Sequence, residues 1–313
     1  MKIIELKNIS KHFGSDLILD NISFGIFEGD IVGFLGPNGA GKSTTMKILT
    51  GLLFPDSGDY LYRKESALSS PGLIKNKIGY LPEVPPIYNY LRVIENLNFF
   101  QDIKGVRSGR KKELNRIVDV CGLGEVKNKL AGHLSKGFRQ RLGLAIGLLG
   151  DPDVLILDEP TVGLDPIQIK ETRKLIKHLG KEKTVVLSSH ILSEVSEVCN
   201  RVIIINKGKI LTEELTENLV KKIHVNSYNV ETIAEEKDII NELEKIEGVS
   251  KVAVVDKKTS GEISLIIESN SDLDLRKDIV NLFSRNNWTL LSLSKTEPTL
   301  ENIFMDHIKD KEE

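Results

Sequence analysis

A glycine-rich stretch that ends in a lysine and a serine could bind a string of phosphates. It fits the pattern GxxxxGK[ST] and consists of Gly36, Pro37, Asn38, Gly39, Ala40, Gly41, Lys42 and Ser43. Glycines let the backbone curl so that successive N–H groups point at phosphate oxygens, and the N-terminus of a following helix favours the same anion. Lys42 is expected to reach the β- and γ-phosphates, Ser43 to offer its hydroxyl to Mg²⁺, and Thr44 to contact the α-phosphate. The stretch therefore predicts binding of ATP with Mg²⁺.

Two adjacent carboxylates, Asp158 and Glu159, directly follow the apolar run of residues 154–157 (VLIL). An apolar strand with an acidic end is weak evidence alone, but together with a phosphate loop it indicates the second half of a hydrolytic site. Asp158 is expected to hold Mg²⁺ through water. Glu159 lies one residue further on and points differently, so it is expected to act as general base or to orient the attacking water, an effect of roughly 10²- to 10⁴-fold in rate.

Short apolar runs alternate with glycine turns and helical stretches over residues 1–212, and they predict the elements that position these groups. Continuous Val, Ile and Leu runs are typical of parallel strands that are buried on both faces. Such runs occupy residues 31–35, 154–157, 185–188 and 202–205, and a helix is predicted from about residue 42. Helices are also predicted at residues 93–102, 110–120 and 135–149. This part of the chain is therefore predicted to be α/β, with a helical insert at about residues 85–150.

The composition changes after residue 212, and residues 213–313 are rich in lysine and glutamate. Apolar helical stripes run from Ile239 to Ile246 and from Leu275 to Leu282, and a last helix is predicted at residues 300–307. Strands are predicted at residues 252–255, 263–267 and 288–293, with a turn at residues 259–261. This order is compatible with a split βαββαβ module. The prediction is thus a second, small α+β domain over residues 213–313.

Four further features carry a resemblance to a known family. Residues 134–141 (LSKGFRQR) resemble the signature of the ABC-type ATPases, usually written LSGGQ, and lie between the two phosphate motifs as that family requires. Residues 163–166 (GLDP) resemble the D-loop of that family, His190 its switch histidine, and Phe13 the aromatic residue that stacks on adenine. The alternative for Phe13 and His190 is an ordinary core or surface position. Their places beside the N-terminal strands and after a buried strand favour nucleotide contacts.

The resemblance implies a fold and a mechanism for residues 1–212. The fold is a P-loop NTPase core of the ABC type, with a helical subdomain and an antiparallel N-terminal β part. Two such subunits, either identical or related, pack head to tail around two ATP molecules. Ser135 and Gly137 are then implied to meet the γ-phosphate held by Lys42 of the partner subunit, and Asp165 to contribute from the D-loop. An isolated subunit would lack a complete site.

Two departures from the family pattern concern site residues. The signature has Lys136 and Phe138 where glycine and glutamine are common. Glu83, which follows the run of residues 78–82, occupies a position where the family usually has glutamine. A carboxylate can ligate Mg²⁺, but it also adds negative charge near the γ-phosphate. Glu83 is therefore a candidate metal ligand and catalytic residue whose role stays open.

These departures resemble the branch of the family that serves exporter-type membrane subunits. The ending at residues 297–304 (EPTLENIF) is similar to the C-terminal extension of that branch, which includes gliding-motility and multidrug or polysaccharide efflux subunits. The resemblance implies that separate integral-membrane subunits are the partners and that the chain is peripheral on the inner face of the cell membrane. Tyr88, Tyr90 and Leu91 form an apolar patch, which is either core packing or a groove for a cytoplasmic helix of such a subunit.

Charge and composition argue against other classes of function. The 313 residues carry a formal net charge of −2, so there is no global basic field of the kind that nucleic-acid binders have. The alternative, an ABC-type ATPase that acts on the ribosome or on nucleic acid, is disfavoured by this charge and by the single phosphate loop. No window approaches the 18 apolar residues of a spanning helix, and the N-terminus lacks the apolar core of a secretory signal. Cys121 and Cys199 are expected to be buried thiols, and residues 213–313 could also bind an effector.

Overall fold

The computed structural model describes residues 1–70, 72–75, 77–218, 226–234, 236–257, 262–269 and 274–296 of the chain. The chain divides into two compact units, Met1–Thr216 and Glu217–Glu313, each with its own buried apolar core. None of the helices in the described ranges combines the length and the apolarity that crossing a membrane requires.

The first unit alternates strands and helices along the chain. In chain order its elements are β1 (Lys2–Phe13), β2 (Asp16–Phe27), β3 (Ile31–Leu35), α1 (Lys42–Leu49), β4 (Ser57–Tyr62), β5 (Glu65–Ser66), α2 (Gly72–Lys75), β6 (Ile78–Leu81), α3 (Val93–Ile103), α4 (Arg110–Val120), α5 (Lys136–Leu148), β7 (Val154–Leu157), α6 (Pro166–Leu179), β8 (Thr184–Ser189), α7 (Leu192–Val198), β9 (Arg201–Asn206) and β10 (Lys209–Leu215). Two short 3₁₀ turns, Gly124–Val126 and Ala131–His133, precede α5.

A six-stranded sheet in the order β10-β9-β3-β8-β7-β6 forms the centre of this unit. Its five strands from β9 to β6 are parallel, and β10 joins the edge antiparallel to β9. Every residue of β7 and β8 is buried, as expected for strands covered on both faces. The four predicted apolar runs are therefore confirmed as strands. β10 was not predicted, because its mixed polar sequence and partial exposure show no continuous apolar run.

The N-terminal β part is a four-stranded antiparallel sheet in the order β2-β1-β4-β5. Several register shifts interrupt the pairing of β1 with β2. The turn between these strands contains Gly14 at φ +61, a left-handed conformation that glycine adopts at little cost. This sheet confirms the antiparallel part of the expected fold and carries Phe13 at the end of β1.

The helical insert consists of α3, α4 and α5, close to the predicted bounds. Ser135 is the N-cap of α5, and its hydroxyl accepts a 3.4 Å hydrogen bond from the Phe138 backbone N–H. The helix packs backbone to backbone on β6, because a Cβ added at Gly79 would lie only 2.3 Å from the carbonyl oxygen of Gly147. This close approach fixes α5 against the strand that leads to Glu83.

The second unit is a small α+β module. Its described elements are β11 (Asn226–Ile233), α8 (Glu236–Leu243), β12 (Val249–Lys257), β13 (Glu262–Ser269), α9 (Arg276–Arg285) and β14 (Thr289–Thr296). The antiparallel sheet has the order β12-β13-β11-β14, which confirms the βαββαβ arrangement. The predicted turn at residues 259–261, the helix at 300–307 and the ending at 297–304 lie outside the described residues.

Candidate active site

The phosphate loop connects β3 to α1, as the motif requires. Gly39 and Gly41 have φ values of +79 and +106, and residues with a Cβ rarely adopt such angles. A Cβ at Gly36 would lie 2.3 Å from the carbonyl oxygen of Ile205, so only glycine fits beside β9. The backbone N–H of Gly36 donates to the carbonyl of Ser189 at 3.4 Å. The loop is thus fixed between β9 and the end of β8.

Lys42 is the first residue of α1, directly after this loop, and is only 6% exposed. Its ammonium donates to the carbonyl oxygens of Gly36 at 2.8 Å and of Pro37 at 3.1 Å. The same ammonium lies 3.4 Å from Oε1 of Glu159. A buried ammonium beside a buried carboxylate is electrostatically compensated. The cation is therefore held in place by groups from both halves of the predicted site.

Asp158 is almost fully buried at the end of β7, where one of its oxygens has two hydroxyl neighbours. Ser43 Oγ lies 3.2 Å and Ser188 Oγ 2.6 Å from Oδ1 of Asp158. Hydroxyl and carboxylate oxygens are ligands that Mg²⁺ prefers, and Mg²⁺ commonly takes only one or two of them from the protein. The oxygen pair of Ser43 and Asp158 therefore fits Mg²⁺.

Glu159 adopts an uncommon backbone conformation, with φ at +48. Its N–H donates to Ser188 Oγ at 2.9 Å, and its Oε2 lies 3.0 Å from Nδ1 of His190. An ionised carboxylate only accepts hydrogen bonds, so this contact fits an imidazole with its proton on Nδ1. The Glu159 side chain is 9% exposed, whereas that of His190 is 41% exposed. The structure thus joins Lys42, Glu159 and His190 directly.

Glu83 lies at the same end of the sheet without joining these contacts. Leu81 pairs with Leu157 in register, so Glu83 and Glu159 occupy corresponding positions after two neighbouring strands. Burial raises the pKa of Tyr80, and the carboxylates of Asp158 and Glu83 raise it further. In the described part of the chain, the exposed Glu83 side chain has no hydrogen bond or ion pair. Its predicted roles as metal ligand and catalytic residue stay predictions.

Phe13 is 52% exposed at the end of β1. The ammonium of Lys11 lies 5.8 Å from the centroid of its ring. The ring is therefore not a core side chain, which removes the alternative of ordinary core packing. Stacking of adenine on this ring stays a prediction.

The signature and D-loop residues lie at two helix starts that pack together. Ser135 caps α5, and Asp165 caps α6 by accepting a 2.9 Å hydrogen bond from the backbone N–H of Gln168. A Cβ at Gly137 would lie 2.6 Å from the side-chain oxygen of Gln168, so glycine permits this packing. Among the described residues, no hydrogen bond or ion pair joins Ser135, Gly137 or Asp165 to Lys42, Ser43, Asp158, Glu159 or His190.

Ser188 belongs to the site, although the sequence reasoning did not identify it. Its hydroxyl donates to Asp158 and accepts from the Glu159 N–H, so it orients both carboxylate-bearing residues. The available signal was a pair of serines at the end of an apolar strand, directly before His190. A polar pair at the carboxyl end of a buried parallel strand is a position where ligand sites form.

Comparison with known proteins finds relatives of this chain both in sequence and in fold. A family model described as ABC transporter matches residues 19–162. A bacitracin transport ATP-binding protein of Bacillus licheniformis is 42% identical over 222 residues, which are 70% of this chain and 72% of the relative. A lantibiotic transport ATP-binding protein of Streptococcus pyogenes is 39% identical over 213 residues, which are 68% of this chain and 90% of the relative.

A solved structure extends the comparison to a nucleotide-bound state. It is described as a dimeric, post-hydrolysis state of an ATP-binding cassette bound to ADP and Pi. The identity is 28% and the TM-score 0.62, over 68% of this chain and 98% of that chain. The chain therefore shares sequence with two transport ATP-binding proteins, and its fold with a cassette that forms a dimer.

Proposed function

This chain belongs to the ABC transporter family, and on that premise we propose that it is the ATP-hydrolysing subunit of an exporter with separate membrane subunits. It binds ATP and hydrolyses it. The observation that carries the site assignment is the contact chain from the loop lysine Lys42 through Glu159 to His190, at 3.4 Å and 3.0 Å. The family match and the two transport relatives support this function over action on the ribosome or on nucleic acid.

We propose a role for each of the site residues. Lys42 and the loop N–H groups bind the triphosphate, and Phe13 stacks on adenine. Ser43 and Asp158 would hold Mg²⁺, which neutralises phosphate charge when bound, and Glu83 is a further candidate ligand. Glu159 orients the attacking water and takes its proton. His190 holds the Glu159 carboxylate from the side opposite Lys42 and contacts the γ-phosphate.

We also propose that two copies, or this chain and a related subunit, complete each other's sites. Ser135 is exposed at the start of α5, where the helix presents its partial positive charge. A second subunit placed head to tail brings its Ser135 and Gly137 to the γ-phosphate, with Asp165 beside them. The related cassette seen as a dimer supports this arrangement.

The dependence of the ATPase rate on protein concentration tests the site and the dimer together. With saturating ATP and Mg²⁺, we expect the rate of phosphate release to rise with more than the first power of concentration until dimers predominate. Ser135→Arg should lower the plateau rate by at least about tenfold, because it places a side chain and a cation at the shared surface. Strictly first-order dependence for a protein shown to be monomeric would rule out the shared site.

An exposed aromatic patch on the helical insert supports the proposal that a partner binds there. Of the predicted patch, Tyr88 and Tyr90 are 49% and 94% exposed, whereas Leu91 is half-buried. The Tyr88 ring packs edge to face at 4.9 Å on that of Phe99, which is 38% exposed. Clustered exposed aromatic rings mark interfaces more often than isolated ones do. We propose that a cytoplasmic segment of the membrane subunit binds here. Two relatives are named for the transport of bacitracin and of a lantibiotic, and we propose export as the direction for this chain.

Replacing Tyr90 by serine tests this patch. Tyr90 is almost fully exposed, so its removal should not disturb packing but should remove a large contact area from the interface. We expect at least about a tenfold drop in co-purification of the chain with integral-membrane proteins from solubilised membranes of the producing cells. The control is Leu52→Ser, which removes another exposed apolar side chain, 67% exposed, outside the insert. Equal recovery of the complex with both variants would place the partner elsewhere.

A further inference from the structure

Glu194 on α7 is a buried carboxylate outside the predicted site, and it lies between the turn after β7 and the end of β8. The Glu194 side chain is 6% exposed and does not contact Lys42, Asp158 or Glu159 among the described residues. We propose that Glu194 is a positioning residue that holds His190 against Glu159 through the hydroxyl of Ser189. This inference rests on the proposed function, because it assumes that the contact of His190 with Glu159 serves hydrolysis.

A single oxygen of Glu194 accepts two hydroxyl hydrogen bonds. Thr161 Oγ1 donates to Oε2 of Glu194 at 2.5 Å, and Ser189 Oγ donates to the same oxygen at 3.1 Å. All three side chains are buried, so water does not compete for these bonds. Hydroxyl donors to a buried carboxylate form charge-assisted bonds, which are stronger than neutral ones. The oxygen therefore fixes two separate segments of the chain at one point.

Ser189 transmits this restraint to His190. Its hydroxyl donates to Glu194 and accepts a 3.0 Å hydrogen bond from the backbone N–H of Ile191, the residue after His190. Its carbonyl oxygen accepts from the N–H of Gly36 in the phosphate loop. The backbone is thus restrained on both sides of His190. With the Ser189 hydroxyl oriented by Glu194, the imidazole is directed towards Glu159.

Thr161 connects the Glu194 carboxylate to Glu159, the partner of His190. It follows Glu159 by two residues, and the intervening turn is closed by a 3.2 Å hydrogen bond from the Val162 N–H to the Glu159 carbonyl. The segments that carry Glu159 and His190 are therefore both tied to Oε2 of Glu194. A displacement of about 1 Å between reacting groups can cost roughly 10²-fold in rate. Loss of this restraint is therefore expected to lower the rate of ATP hydrolysis.

The other oxygen of Glu194 faces an arginine, which suggests a purely structural alternative. Oε1 lies 3.6 Å from Nη2 of Arg173, and Arg173 also pairs with the exposed Glu197 at 2.9 Å. Within the described part of the chain, Arg173 Nε has no hydrogen-bond partner, so the hydrogen-bonding capacity of this arginine is not fully used. A structural ion pair would affect folding and nucleotide affinity together with turnover. A positioning role would affect kcat selectively.

The test compares Glu194→Ala with Glu194→Gln in the full chain, by phosphate release over a range of ATP concentrations. We expect Glu194→Ala to lower kcat about 10- to 100-fold and to change KM by less than about threefold, because the contacts of Glu194 among the described residues are with Thr161, Ser189 and Arg173, outside the phosphate loop. Glutamine still offers an oxygen to both hydroxyls, so Glu194→Gln should keep at least about a third of kcat. Glu197→Ala, which removes the other partner of Arg173, is the matched control, and its kcat should stay within about twofold of the wild-type value.

A double-mutant cycle separates positioning from a general loss of structure. In the background of His190→Ala, the further change Glu194→Ala should lower kcat less than about threefold, since both restraints serve the contact between His190 and Glu159, which is already lost. The proposal would be overturned if Glu194→Ala lowered kcat in that background as much as it does in the wild type. It would also be overturned if Glu194→Ala alone lowered kcat and the affinity for ATP in parallel. Ser189→Ala must reproduce the selective fall in kcat, which keeps the test valid if Glu194→Ala folds poorly. Wild-type protein without ATPase activity would contradict the proposed function, whereas an active wild type with an equally active Glu194→Ala contradicts this inference alone.

Discussion

Glu159→Gln is expected to stop ATP turnover while ATP still binds. The carboxylate lies between Lys42 at 3.4 Å and His190 at 3.0 Å, where an attacking water can be oriented and deprotonated. An amide of the same size keeps the shape of the site but cannot take the proton. The loss should be roughly 10²- to 10⁴-fold in kcat, measured as phosphate release at saturating ATP. The affinity for ATP, measured by fluorescence of a bound analogue, should fall by less than about threefold, because the loop amides and Lys42 remain.

Glu83→Gln is the matched control for this prediction. Glu83 follows the neighbouring strand at the corresponding position, yet its side chain is exposed and contacts none of the loop residues in the described structure. The same substitution at Glu83 should therefore leave at least about a tenth of the turnover rate. Near wild-type hydrolysis by Glu159→Gln would remove Glu159 from the role of base. An abolished rate in Glu83→Gln with an active Glu159→Gln would transfer that role to Glu83.

The strands that position the site could be read from the sequence because burial on both faces imposes a continuous apolar run. β3 and β7 begin and end where such runs do, at Ile31–Leu35 and Val154–Leu157. β11 was not predicted as a strand, since polar and apolar residues alternate along Asn226–Ile233. Such a half-buried strand has a weaker local signal than a central parallel one. The order of the strands within each sheet depends on contacts between distant residues, which periodicity does not encode.

The residues of the site differ in the same way, because some depend on the local sequence and others on contacts between distant segments. Lys42 and Ser43 were identifiable because their function depends on a local spacing after a strand and before a helix. The role of Glu194 as a hydrogen-bond acceptor could not be identified, because its partners come from two separate segments, Thr161 from the turn after β7 and Ser189 from the end of β8. A glutamate in an amphipathic helix otherwise indicates only a solvated face. The positive φ of Glu159, which aims its carboxylate at Lys42, is likewise a property of the folded turn.

Lys42→Ala is expected to abolish useful affinity for ATP. The ammonium is positioned by the carbonyl oxygens of Gly36 and Pro37 at 2.8 Å and 3.1 Å, at the centre of the loop. One or two charge-assisted hydrogen bonds to phosphate are worth about 2 to 4 kcal/mol, a loss of roughly 30- to 1,000-fold in affinity. The substitution also leaves the buried Glu159 carboxylate without its nearest cation, and this uncompensated negative charge opposes the triphosphate. Equilibrium binding of ATP with Mg²⁺ measures the effect.

Two comparisons separate this electrostatic explanation from a loss of folding. Lys104 is a partly buried lysine whose ammonium also donates to two backbone carbonyls, those of Gly147 and Leu149, and burial lowers its pKa to about 8. Lys104→Ala should lower thermal stability but leave affinity for ATP within about threefold, since it lies outside the loop. Adding Glu159→Gln to Lys42→Ala should restore part of the affinity, because the uncompensated carboxylate is then neutral. Unchanged binding of ATP by Lys42→Ala would refute the assignment of the loop. A double variant that binds no better than Lys42→Ala would show that the lost ammonium alone, and not the uncompensated charge of Glu159, determines the effect.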